Sequence, residues 1–453
     1  MRRSATFVWL WLGLAISGFF LRAQQVYIPY DTAGAAQREA FVKAFETRAG
    51  AYRQGAIRPL RSAKQRRLAN KYLKNYFSAV SDEFLYHDEL YFNRQLDDYL
   101  RRLFDRLVSG SGYRPPGPVI LKFSRHPTPN AFSVGEGTIA IHMDLVDRLE
   151  NEAQLAAVLA HEFSHYYLDH LGQSYRNYVI YLTSKDYRKK VKQVYNGRYG
   201  RTEKAERLLK QVLYSRRRKS RRQELEADSL GYIIYVRAGF PPDQYLRSLA
   251  LLDSVDTERD SLTVAFLRRW FHTASQPFNE RWLQREDFSA YFYADDPETD
   301  SLKTHPGIPE RVEVLRRFSR RCCPGAEVKN EGVSPGEFEK LKKNAPYERL
   351  FNLYHQKAYG LSLYHTLKAL QHHPRDPFLL KMFVLNFRAL TQARQRLESG
   401  KYIPAYNPRI HSESMHLFID FMNNMDEHEM QRLLDDYSRL LRQRHLSNQI
   451  YTP

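Results

Sequence analysis

The chain is poor in cysteine: among 453 residues there are two, Cys322 and Cys323, and they are adjacent. Neighbouring cysteines cannot staple distant elements, and a ring closed between them would be strained. A disulfide-framed scaffold is excluded, and the fold must rest on packing and on any metal it holds. Long apolar runs are scarce too. Only Phe7–Leu21 is continuously apolar, shorter than the roughly 18 residues that a spanning helix takes. A polytopic membrane protein is therefore excluded. Acidic residues are outnumbered, 51 against 70 Lys and Arg, for a formal charge of +19. What remains is ordinary: 43% hydrophobic and 27% charged residues exclude a disordered or collagenous chain. The length leaves room for two or three domains with their own cores.

An excess of positive charge first suggests nucleic acid, but the N-terminus argues against that partner. Arg2 and Arg3 precede the apolar run, which closes on Arg22-Ala23-Gln24. A cationic start, a short apolar stretch and a small residue near its end describe a secretory signal over residues 1–24. The competing reading is an uncleaved N-terminal anchor. The expectation is an exported protein, periplasmic or facing the outer membrane, with full secretion as the alternative. Removing residues 1–24 takes away three arginines and leaves +16.

From Ala35 to Ser109 the pattern is helical, with Leu96, Leu100, Leu103 and Leu107 at three- and four-residue spacing. The Gly110–Gly117 segment breaks it. Strands fit Val119–Phe123 and, after the turn Gly135-Glu136-Gly137, Thr138–Ile141. Helices return over Glu152–His170 and Glu224–Ala238, the second closed by Gly239 and Pro241-Pro242. The Pro- and Gly-bearing stretch Cys322–Pro346 reads as a linker. Beyond it the pattern is helical only, and Tyr359–His372 followed by Phe378–Leu390 reads as one helix–turn–helix unit. No 34-residue repeat is clear, so any tetratricopeptide likeness rests on layout alone.

The strongest signal is His161-Glu162-Phe163-Ser164-His165, an HExxH. Helical residues i and i+4 share a face, so both imidazoles reach one ion, and Glu162 beside them is placed to take a proton from water. Chance matches usually lie on solvated helices, whereas Ala156–Ala160 makes this one apolar and buried. Burying two histidines and a glutamate is costly unless something satisfies them, which favours a metal. Such a site needs a third protein ligand and an open position. In Glu224-Leu225-Glu226-Ala227-Asp228, Glu224 and Asp228 are four apart, so one can ligate while the other supports it. By itself this acidic cluster also suits a helix N-terminus. Glu226 points elsewhere, toward solvent or the basic segment.

In this order, Asn130-Ala131-Phe132, the Gly-turn strand, His161–His165, Glu224–Asp228, the Ala238-Gly239-Phe240-Pro241 turn, His305-Pro306 and Arg311 resemble HtpX-type and CAAX-prenyl-protease-type zinc metallopeptidases. The resemblance covers Leu68–Phe318. It implies that His161, His165 and Glu224 ligate one Zn2+ per chain, that Glu162 is the general base and that Asp228 supports the ligands. It places Asn130 and Ala131 on an edge strand that receives substrate backbone, and gives His305 the task of steadying the oxyanion. Membrane members carry spanning helices between HExxH and the third ligand. Here Leu171–Arg222 is polar and basic, so the likeness is closest to the soluble, BepA-like periplasmic branch, which serves envelope quality control and often carries a helical repeat domain.

The remaining histidines read as structural or solvated: His142 on the expected edge strand, His170 past the ligand face, His372 and His373 in a turn. Residues 185–222 hold 16 Lys and Arg against 3 acids, a local +13. This basic insertion reads as a charged helical hairpin, either simply solvated or a clamp for an anionic membrane surface or acidic partner. The expected architecture is α+β: an N-terminal helical segment (25–67), a mainly helical zincin-like metallopeptidase domain with a small sheet (68–320), a linker (321–346) and an all-α, tetratricopeptide-like C-terminal domain (347–453). The expected function is an exported zinc metalloendopeptidase acting on protein or peptide substrates, with no nucleic-acid partner. The competing class is a chaperone-like envelope assembly factor whose zinc site is latent.

Overall fold

The structure, a computed structural model, describes residues 27–30, 34–86, 89–195, 221–253, 258, 260–285, 308–323, 328, 333–407 and 411–443. The expected signal, His305, most of the basic segment and much of 254–301 lie outside these residues. The architecture is mainly helical with one small sheet, as the sequence implies.

The helical stretch before the sheet is three helices, α1 (Ala35–Ile57), α2 (Ala63–Tyr86) and α3 (Arg94–Ser111). Leu96, Leu100, Leu103 and Leu107 of α3 are all buried, each contributing about 1.5–3 kcal/mol relative to exposure. Asn93 caps α3 by accepting from the backbone N–H of Gln95 and Leu96. Three strands follow: β1 (Ile120–Ser124), β2 (Ala131–Ser133) and β3 (Thr138–His142). Their order is β1-β3-β2, with β1 parallel and β2 antiparallel to β3. The strand carrying His142 is therefore central, not the edge strand expected from sequence, and all five of its residues are buried. Ile139 and Ile141 face the core shared with α3 and α5 while Ala140 faces the layer of α1 and α2, as the two-residue period of a strand requires. The turn before β3 requires glycine at 137: φ is +115°, and a Cβ there would lie 2.0 Å from the Pro118 carbonyl oxygen.

After the short α4 (Met143–Arg148) come α5 (Glu152–Tyr167), α6 (His170–Thr183) and α7 (Lys185–Tyr195). A helix described over 221–237, α8, then leads to α9 (Pro242–Asp253). The helix expected over Glu152–His170 is thus divided: α5 ends at Tyr167, Asp169 adopts a left-handed conformation with φ +53°, and His170 opens α6. The N-terminal part of the basic insertion is helical as α7.

Two sequence-based boundaries need correction. Residues 335–346, expected in the linker, form the first half of α12 (Pro335–His355). Pro335 begins that helix, where its missing N–H costs nothing. Pro346 is tolerated inside it because burial on both sides, at Phe338, Leu341 and Ala345 and then Glu348 and Leu350, holds the helix together. Second, the expected catalytic domain of 68–320 takes in α10 (Val264–Trp270) and Trp282, which pack instead in the C-terminal core. That core is built by α13 (Tyr359–His372), α14 (Pro377–Gln395), α15 (Glu413–Asn424) and α16 (Glu427–Gln443). The helix pair expected near Tyr359–Leu390 is present. Helix α12 spans both cores, its first half lying with the sheet and with α11 (Ile308–Cys322), its second half with α13 and α14.

Candidate active site

Helix α5 is apolar nearly all round, with Leu155 to Ala160 and Phe163 all buried, so it runs through the catalytic core and carries His161, Glu162 and His165 into it. Helix α8 crosses directly over the motif because residue 231 is glycine. A Cβ there would fall 2.4 Å from the Tyr245 hydroxyl and 3.1 Å from both the Ala160 carbonyl oxygen and the His161 nitrogen. One turn before that glycine lies Asp228, and one turn earlier Glu224. The close crossing therefore delivers both carboxylates to the histidines.

The donor atoms converge. His161 Nε2 and His165 Nε2 are 3.1 Å apart, and the two Glu224 oxygens lie 3.5 Å from His161 Nε2 and His165 Nε2 respectively. A tetrahedral ion with bonds of about 2.05 Å sets its ligands roughly 3.3 Å apart, so these spacings fit one metal ion. Charge fits as well. Glu162, Glu224 and Asp228 are buried with one guanidinium, Arg311, leaving two formal negative charges for a divalent cation to balance. Among the described residues this is the one cluster with metal-ligating geometry.

Asp228 supports the first ligand. Its Oδ1 lies 3.0 Å from His161 Nδ1, which fixes the ring so that Nε2 faces the other donors. Arg311 in turn donates two hydrogen bonds to Asp228, of 2.8 and 2.7 Å, and its Nη1 lies 2.9 Å from Glu224. Burial disfavours ionised Asp228, but the hydrogen bonds from Arg311 and His161 outweigh it and hold its carboxyl below the ordinary range. Burial alone would also lower the pKa of His161. The hydrogen bonds to Asp228 and Glu224 overcome that and lift it to about 10 in the metal-free chain.

His165 is supported by a residue that sequence reasoning set aside. His170 Nδ1 lies 2.9 Å from His165 Nδ1, and His170 Nε2 is 3.4 Å from a Glu226 oxygen. With His165 Nε2 facing the metal donors, its proton sits on Nδ1 and is accepted by His170. His170 then carries its own proton on Nε2, toward Glu226. Glu226 is half-exposed and also meets Arg222, 2.8 Å away, so it faces the basic segment, as expected, and the relay as well. No spacing signal distinguishes His170 in advance, because the break at Asp169 turns it back onto α5.

The other expected residues are placed as follows. Asn130 accepts the His142 N–H through its carbonyl at 2.9 Å and leads into β2, the sheet edge. Among the described residues no strand pairs with the outer side of β2. A cavity of about 30 Å³ joins Asn130 and Ala131 to His161 and Glu162. His142 is structural as expected: burial lowers its pKa to about 4, and its Nδ1 is 2.8 Å from the Thr128 carbonyl oxygen. His372 is exposed and paired with Asp260. Cys322 and Cys323 are free thiols.

Residues 94–319 match peptidase family M48. No curated protein matches the chain.

Proposed function

Because the chain belongs to peptidase family M48 through residues 94–319, we propose that it is a zinc-dependent metalloendopeptidase that hydrolyses internal bonds of protein or peptide substrates. The observation that carries this reading is the convergence of His161, His165 and Glu224 beside Glu162, within a buried and formally anionic site. These three residues would hold the zinc, which supplies Lewis acidity to the scissile carbonyl and acidifies the attacking water. The substrate strand adds to the outer edge of β2 near Asn130 and Ala131. The Glu162 carboxylate accepts a proton from the attacking water and delivers it to the leaving nitrogen. Asp228 and Arg311 keep His161 oriented during the reaction. His305 is assigned to the oxyanion on the strength of the sequence resemblance alone.

The same reading places the enzyme outside the cytoplasm, in envelope quality control. It is supported by Arg2-Arg3 ahead of the Phe7–Leu21 run, and determination of the mature N-terminus tests it: an intact Met1 would count against export. The basic insertion is proposed to meet anionic lipid. Helix α7 supports this with Lys185, Arg188, Lys189 and Lys192 exposed, and failure to float with phosphatidylglycerol vesicles at low salt would refute it.

The test of the activity is casein cleavage by the purified chain with and without a chelator. Loss on chelation and recovery with one equivalent of zinc are expected. Full cleavage in chelator would refute the metal role. Zinc bound at one equivalent without cleavage would favour the chaperone-like alternative.

A further inference from the structure

The small cavity beside Glu162 has a shape and chemistry of its own. Its apolar walls are Leu145, Ala157, Val158 and Leu249, and Asn130 and Ala131 of the sheet edge also line it. At about 30 Å³ it exceeds the roughly 10–15 Å³ that one water takes, but falls far short of the ~150 Å³ that accommodates a benzene-sized group. One wall is Tyr245, which is 2% exposed. Its ring is held edge-on by Tyr232 and Tyr235, at centroid distances of 5.6 and 5.3 Å. Its hydroxyl has no hydrogen-bond partner among the described residues. Burial keeps that hydroxyl protonated, so it is a fixed, unsatisfied donor, and such groups are rare without a ligand or water to meet them. The hydroxyl occupies the space that Gly231 leaves at the crossing of α5 and α8, so it is positioned by the same contact that assembles the metal site.

We propose that this cavity receives the substrate side chain on one flank of the scissile bond, and that Tyr245 restricts that side chain to glycine, alanine or serine. The inference rests on the peptidase reading above and adds a substrate class to it. A strand laid along β2 beside Glu162 puts one flanking side chain on the side of the cavity that Asn130, Ala131 and Glu162 line, because successive residues of a strand project alternately to its two faces. A methyl or hydroxymethyl group fits the volume, whereas leucine or phenylalanine does not fit without displacing Tyr245. The Tyr245 hydroxyl has no acceptor in an alanine side chain but has one in the serine hydroxyl, so serine gains over alanine.

The experiment is cleavage-site profiling of a peptide mixture by the zinc-loaded full chain, followed by matched peptides that differ at the selected position. Wild type is expected to show Gly, Ala and Ser enriched at one of the two positions flanking the cut, with phenylalanine there at least tenfold poorer in kcat/KM. Tyr245→Ala should narrow that gap at least tenfold. Tyr245→Phe, which keeps the ring and its packing, should remove the preference for serine over alanine while retaining the exclusion of phenylalanine. Cleavage by wild type with large residues favoured at both flanking positions would overturn the inference and leave the peptidase reading standing. An unchanged size preference in an active Tyr245→Ala enzyme, or an unchanged serine preference in Tyr245→Phe, would overturn it as well. No cleavage by zinc-loaded wild type would overturn the peptidase reading and this inference with it.

Discussion

His161 and His165 sit one helical turn apart on α5 and offer the same atom to the same site, yet they are held in opposite ways. Behind His161 stands a carboxylate, Asp228, clamped by a guanidinium that is itself buried. Behind His165 stands a neutral imidazole, His170, backed by a glutamate that reaches the surface and shares itself with Arg222. One support is sealed inside the crossing of α5, α8 and α11. The other runs outward to the end of the basic segment. A buried ion pair left without one partner is severely penalised, whereas an exposed pair contributes little and is screened by salt. The inner side therefore serves the integrity of the site, and the outer side is the part that the surroundings can adjust.

Removing Arg311 should break the comparison most sharply. Arg311→Ala leaves Asp228 and Glu224 buried with only the protonated His161 to offset them, at an expected cost of about 3–5 kcal/mol, read by denaturant unfolding of the metal-free protein. The loss should shrink when zinc is present, because the ion replaces part of the missing charge. Next in size is His170→Ala, which should weaken zinc about 10–100-fold through loss of ring orientation, measured by competition with a chromogenic chelator. His170→Asn, which can still accept from His165 Nδ1–H through its side-chain oxygen, should recover part of that loss. Equal zinc affinity in wild type and His170→Ala would dissolve the distinction between the two sides. At the surface end, Arg222→Ala should change stability by less than about 1 kcal/mol and lose even that in high salt.

Rising pH should report on the inner side. His161 is lifted to about 10 when no metal is bound, above its ordinary value of 6.5, so its protonated form stabilises the metal-free fold. That contribution is complete below about pH 6.5 and is lost as pH rises through about 10. Zinc must displace the same proton, so apparent zinc affinity should rise about tenfold per pH unit toward pH 10 and then level. A flat profile from pH 7 to 9 would contradict the assignment.

What could be read from sequence follows from what is contiguous. HExxH, the Glu224–Asp228 spacing and the leucine period of α3 each lie within one helix, and each reappears in the structure with its expected partners. The pairing of His170 with His165 depends on a left-handed residue, Asp169, that reverses the chain. The role of Gly231 depends on how closely α8 crosses α5, and that of Tyr245 on α9 packing against the same crossing. Neither kind of contact leaves a local periodicity. The linker expectation fails for the opposite reason: Pro335 and Pro346 carry a strong local breaker signal that tertiary burial of Phe338, Leu341 and Ala345 overrides. Likewise α10 and Trp282 lie among catalytic residues in sequence but find their apolar partners in α13–α16.

The central claim is that Glu162 moves the proton while His161, His165 and Glu224 hold the metal. Glu162→Gln separates these roles, since the amide keeps the shape of the carboxylate but cannot take a proton from water. Casein cleavage and zinc content should be measured together on wild type and Glu162→Gln. The account predicts about one zinc in each and a fall in kcat of roughly 10²–10⁴-fold in the variant. Equal cleavage by the two proteins, at equal zinc content, would contradict it.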